Sequence, residues 1–142
     1  MQTFVPVPSF LESMRSLDKS RLGNQIWREG ITLIRGGWSN HPASKMWRGH
    51  EYQLGVYLLA GCDVLAERGK DYPEVRRKIK IEMEKFTDTG LPSWWGDDKL
   101  HSSHRRALLY KNFEWYSQFG WGESPDVPNE KGKLNYLWPI SV

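Results

Sequence analysis

Arg21, Arg28 and Arg35 recur at intervals of seven residues, with Gln25 and Thr32 between them. If residues 17–37 form a helix, these side chains share one face, while Leu22, Ile26, Leu33 and Ile34 make an apolar stripe on the opposite one. A guanidinium offers a planar fork of donors, so three in a line suit a row of phosphates. Glu29 is the one acid beside that row. Basic and aromatic residues interleave elsewhere: Trp27 adjoins Arg28, Trp47 adjoins Arg48, and Trp94-Trp95 shortly precede His104-Arg105-Arg106. Cations for phosphates together with rings for unstacked bases are the equipment of a protein that works on single bases. The plainer alternative is a solvated helix face with most rings in the core, and for Trp47, Trp115 and Trp138 that reading is preferred. Trp94 and Trp95 lie in a loop bounded by Pro and Gly, are harder to bury together, and are the candidate base pocket.

Other chemistry finds less support. His101 and His104 are three apart and could pair with His41, His50 or Glu51 around a metal, but no Cys pair and no H-E-x-x-H pattern accompanies them. No metal and no cofactor is expected. No Gly-rich phosphate loop and no G-x-S-x-G elbow occurs, and Cys62 falls on the apolar stripe of a helix. Triphosphate-dependent, serine-hydrolase and thiol chemistry are therefore disfavoured.

The elements that must carry these residues read as helices. Pro6 and Pro8 keep the start of the chain out of a helix, and Ser9 with Glu12 makes a capping box for a short helix over 10–17. The basic helix follows and stops at Gly36-Gly37. A third helix is expected over 42–68, with Leu54, Tyr57, Leu58, Gly61, Cys62 and Leu65 as its stripe and Gly55 and Gly61 admitting a close neighbour. A fourth, capped by Asp71 with Pro73 in its first turn, buries Val75, Ile79, Met83 and Phe86. Short helices are expected over 101–110 and 113–119. The tail has no helical period and should wrap the body, pinning Tyr136, Trp138 and Ile140. The sum is an all-α fold of about four to six helices with an irregular, aromatic-rich C-terminal tail, in a single domain spanning 1–142.

Composition sets the outer bounds. The 142 residues carry a net charge of +3 and eight tryptophans. The modest basic excess permits an anionic partner without demanding one. A lone cysteine excludes an intrachain disulfide and fits a reducing compartment. No apolar run reaches the length of a membrane span, and the N-terminus lacks the regions of a signal peptide. A cytoplasmic monomer with no membrane association is expected.

Four segments carry a resemblance: M-Q-T-F-V-P at the start, L-D-K-S-R-L-G-N-Q, then G-W-S-N-H-P-A-S-K-M-W-R-G-H-E, and the late H-S-S-H-R-R-A-L-L followed by W-Y-S-Q-F-G-W. In this order, over nearly the whole chain, they resemble the pyrimidine-dimer DNA glycosylase family, the phage-type endonuclease V group and its bacterial relatives. The resemblance implies a compact helical enzyme of a prokaryotic cell or phage-infected host, acting on double-stranded DNA with damaged bases or abasic sites. It would break the glycosyl bond of a damaged pyrimidine and then cleave the strand at the abasic sugar. The family's aromatic-Arg-Glu resembles Trp27-Arg28-Glu29, making Glu29 the implied catalytic acid. A terminal amine is the implied nucleophile. Arg21, Gln25, Arg28, Arg35, His41, Lys45, Arg48, His101, His104 and Arg105 form the expected DNA-contacting set, with the segment after His101 helping to close the site.

Two departures from the family pattern stand out. The interval from Arg21 to Glu29 is one residue longer than in the founding phage enzyme. Gln2 is a large second residue, so Met1 should be retained and the amine should belong to Met1 rather than Gln2. An α-amine titrates near about 7.7–8.0, leaving a neutral fraction that an ordinary lysine lacks; Lys45 is the reserve nucleophile. The competing readings are a DNA-binding protein of the same fold without the amine chemistry, a glycosylase for another pyrimidine lesion, and a metal-dependent hydrolase built on the histidines.

Overall fold

Pro6 and Pro8 hold the start of the chain extended, and it enters the fold as a strap whose residues 2–6 are all buried. A computed structural model describes residues 1–139. After the strap, Ser9 Oγ accepts the Glu12 N–H at 3.2 Å and starts helix α1, Phe10–Ser16. Helix α2 is one rod over 19–34, but it is not uniform. It begins as α-helix at Lys19–Asn24, widens to a π turn at Gln25–Gly30, and returns to α-helix at Ile31–Ile34. The Ile31 N–H reaches back five residues to the Ile26 carbonyl. Gly36, at φ 87°, ends the rod as its sequence suggested.

A single helix over 42–68 does not form. Helix α3, Pro42–Lys45, is capped by His41, whose Nδ1 accepts the Ala43 N–H at 3.0 Å. Gly49 then takes φ 85°, which turns the chain before helix α4, Glu51–Glu67. The break lets Trp47 drop into the core, 1% exposed, with its indole N–H on Thr3 Oγ1 at 2.9 Å.

Helix α4 is the centre of the molecule, with Leu54, Tyr57, Leu58, Cys62, Val64 and Leu65 buried along it. Glycines set how closely its neighbours approach. A Cβ on Gly61 would lie 2.9 Å from Ile26 of α2, and one on Gly30 would overlap Leu58. Gly55 likewise admits Met83 of helix α5, Pro73–Met83. In α5, Pro73 fills the first turn, and Ile79 and Met83 are buried with Val75 and Phe86 partly covered. Tyr72, not Asp71, occupies its N-cap; Asp71 instead lies 3.5 Å from Arg76.

Helix α6, Asp98–Lys111, starts earlier than expected because Asp97 caps it through the Lys99 N–H. Helix α7, Phe113–Tyr116, is capped by Asn112 and runs into a 3-10 turn, Ser117–Phe119. Among the described residues every regular element is helical, seven helices when the α2 rod is taken as one, slightly more than expected. The tail is held by buried Asp126, which accepts from the Asn135 backbone at 2.7 Å and side chain at 3.0 Å. Tyr136 packs edge-on against Phe4 and His104, and Trp138 packs on Tyr136. The expected anchoring by Ile140 lies outside the described residues. No helix among the described residues is long and apolar enough to cross a membrane.

Candidate functional site

The strap is clamped along its length, and most of the clamp consists of residues whose types had suggested DNA contact. Gln25, 2% exposed, does the most. Its Oε1 accepts the Phe4 N–H at 2.7 Å, and its Nε2 donates to the Gln2 carbonyl and to Glu29 Oε2, both at 2.8 Å. The buried Tyr57 hydroxyl lies 2.7 Å from both Gln25 Oε1 and the Phe4 carbonyl and shares its one proton between them. Further along, the Val5 N–H donates to His104 Nδ1 at 3.0 Å, while His101 Nδ1 meets the Val5 carbonyl at 2.6 Å. Arg105 donates to the Pro6 carbonyl at 2.8 Å.

The result brings Glu29 to the beginning of the chain. Within a π turn, residues four apart stay on one side of the helix, so Gln25 and Glu29 face the strap together. Glu29 Oε2 lies 3.5 Å from the Gln2 backbone nitrogen. Beside this pair opens a cleft of about 530 Å3, lined by Met1, His41, Lys111, Lys133, Tyr136 and Trp138 among others. Trp138 stands edge-on to His41 at 5.9 Å.

Charge is concentrated around this cleft. His41 is held below its ordinary pKa by partial burial first, then by repulsion from the Met1 amine and Lys133. Lys111 is likewise lowered, by lost hydration and then by Arg21, with Glu29 pulling the other way. Tyr57 and Tyr136 are both pushed up, by burial first and by the Glu29 charge second. One carboxylate therefore acts on an amine and two phenols from three separate elements. His104 is fully enclosed, and burial, aided by repulsion from His101, lowers it to about 3. It is neutral at ordinary pH, as an acceptor for Val5 requires.

Several expected DNA contacts are thus corrected. His101 and His104, 1% and 0% exposed, face inward and hold the strap. Arg105 is committed to Glu123 at 2.6 Å, Asp98 at 3.0 Å and the Pro6 carbonyl. Gln25 is interior as well. The three arginines are not left as one free row, and Arg35 lies just past the end of α2. Arg21 pairs with Asp18 at 2.9 Å, Arg35 pairs with Glu82 at 3.2 Å on another flank, and Arg28 is exposed. Arg48 is exposed and donates to the Ser39 carbonyl, while Lys45 is half-buried. The paired tryptophans are not a surface stacking platform. Trp94 is 7% exposed, packs edge-on to Trp47 and donates to the Met46 carbonyl at 2.8 Å; Trp95 lies against Phe10 and His101. Cys62 is interior, and burial lifts its thiol to about 11, which removes it as a nucleophile.

Sequence reasoning missed Lys111, Lys133 and the site role of Tyr57. Lys111 ends a helix and Lys133 sits in an aperiodic tail, so nothing in local spacing ties either to Glu29. The arrangement joins the start of the chain, a carboxylate, two lysines and aromatic walls, which suits imine chemistry on a sugar held by its phosphates. No curated protein and no solved structure matches the chain. A family model described as pyrimidine dimer DNA glycosylase matches residues 1–80, more than half of the 142 residues, and the chain belongs to that family.

Proposed function

We propose that the protein releases a damaged pyrimidine from duplex DNA and then cuts the strand at the exposed sugar, with the Met1 amine as nucleophile and Glu29 as proton carrier. The observation that supports this most is the clamp that brings Glu29 to 3.5 Å from the Gln2 nitrogen, one residue from the terminus, at the side of a cationic cleft. As the bond between sugar and base breaks, positive charge grows on the sugar, and a carboxylate at that point stabilises it. The amine bonds to C1′ and the base leaves with the electron pair. The nitrogen sheds a proton, and the C1′–O4′ bond breaks with its electron pair staying on O4′, which takes up a proton. The imine left at C1′ acidifies the C2′ hydrogen. Glu29 takes that proton, a C2′=C3′ double bond forms, and the C3′–O bond breaks to release the downstream strand. Exposed Arg28 and Arg48, with Lys45, are the candidates for holding phosphates. All these parts lie on one chain, so a monomer suffices.

The π turn bears on the assignment of Glu29. The interval from Arg21 to Glu29 is one residue longer than in the founding phage enzyme, and a π turn takes up one extra residue without re-phasing the helix after it. Glu29 can therefore keep its place despite the longer interval.

A second reading, a DNA-binding protein without lyase chemistry, draws on the nitrogen beside Glu29 belonging to Gln2, an amide wherever the large Gln2 side chain keeps Met1 in place. Borohydride trapping on an abasic duplex, with the intact mass of the N-terminus measured in parallel, separates the two. A covalent protein–DNA adduct is expected. Its absence from protein with a verified free amine would leave the second reading.

A further inference from the structure

The cleft that contains Met1 also contains two lysine amines from the other half of the chain, Lys111 and Lys133. Lys111, the last residue of α6, lines the cleft together with Met1, His41, Tyr136 and Trp138. It is near enough to Glu29 to feel that charge, and near enough to Arg21 to be repelled by it. Among the described residues no carboxylate lies within 4 Å of its ammonium in an ion pair. We infer that Lys111 is a second imine-forming amine of this site, able to open abasic sugars when the terminal amine is not engaged.

The inference rests on the lyase reading above and adds a residue to it. Only a neutral amine attacks an aldehyde, and lost hydration with a cation alongside favours the neutral form of a lysine. Both conditions hold at Lys111, whereas Lys45, the lysine singled out by sequence, does not line the cleft. The nitrogen closest to Glu29 belongs to Gln2 and cannot attack as an amide. The reacting sugar must therefore lie further out, where Met1 and Lys111 both line the wall. For an abasic sugar in its aldehyde form, Lys111 Nζ adds to C1′ and water leaves, giving the imine. The C2′ proton then passes to Glu29, its electron pair forms the C2′=C3′ bond, and the C3′–O bond breaks. Water hydrolyses the imine and frees the lysine.

The test uses full-length protein acetylated at its N-terminus, verified by intact mass, with borohydride and an abasic duplex. Adduct yield should stay within about tenfold of the free-amine protein, and the adduct should map to the peptide carrying Lys111. Lys111→Arg in the acetylated protein keeps the charge but forms no imine. It should cut trapping at least about 100-fold while duplex affinity stays within about twofold. Loss of all trapping on acetylation alone would assign the chemistry to Met1 and overturn the inference while leaving the lyase reading intact. Undiminished trapping by acetylated Lys111→Arg would overturn it in favour of another lysine. No adduct from the free-amine protein would remove the lyase reading and this inference together.

Discussion

Glu29 is the proposed proton carrier, and its hydrogen bonds define a clean substitution. In Glu29→Gln the amide oxygen can still accept from Gln25 Nε2, so the strap should stay in place. Base release is expected to fall by about 100-fold or more, with duplex affinity within about twofold, compared by product assay and gel shift on the same preparation. Turnover unchanged from the parent would mean that the carboxylate does not act. Two arginines provide a second contrast. Arg28 is exposed, whereas Arg105 holds Pro6, Glu123 and Asp98. Arg28→Ala should lower the salt dependence of DNA binding by about one unit and leave the melting temperature alone. Arg105→Ala should do the reverse, lowering the melting temperature while the slope persists. Salt titrations and thermal melts of the two variants side by side decide it.

At the scale of elements, the π turn of α2 is what aims Gln25 and Glu29 at the strap, and Gly30 makes it possible. An added methyl there would overlap both Leu58 and the Gln25 carbonyl. Gly30→Ala is therefore expected to cost about 1–3 kcal/mol in denaturant unfolding and to reduce base release as well. A loss of stability with full activity would separate the turn from the site. Features fixed by neighbours in sequence were legible beforehand: the Ser9 cap, the stop at Gly36, the apolar stripe of α4 and Pro73 at the start of α5. Features fixed from a distance were not. Whether a helix widens at Gln25 depends on bonds to Phe4 and Tyr57, which lie 21 and 32 residues away. A histidine or arginine pattern looks the same whether it faces phosphates or hooks a strap, so spacing alone does not distinguish the two for His101, His104 and Arg105. The same holds for Trp94 and Trp95, because burying two adjacent rings takes a cavity built by Trp47, Phe10 and His101. Lys111 and Lys133 could not be read at all, since only the folded chain brings α6 and the tail to Met1.

The whole molecule is organised to hold its own first residues, and this ties stability to pH. In the unfolded chain His104 binds a proton near the ordinary imidazole value of 6.5; in the fold it stays neutral down to about 3. Between those values the unfolded state holds more protons, so stability is full above 6.5 and declines as pH falls toward 3. The slope from this one group approaches about 1.4 kcal/mol per pH unit. Asn at this position could still accept from Val5 but would not titrate. The difference between wild type and His104→Asn, measured by urea unfolding across pH 4–8 as a chosen range, should therefore shrink on acidification; a constant difference would mean that His104 contributes no such linkage. The threading of the chain's start between α2, α4 and α6 has a practical corollary. Met1 is 36% exposed and lines the cleft, so a purification tag fused ahead of it would lie against the opening proposed for the sugar. Such a fusion is expected to fold normally and to lose activity, which a product assay before and after removal of the tag would check.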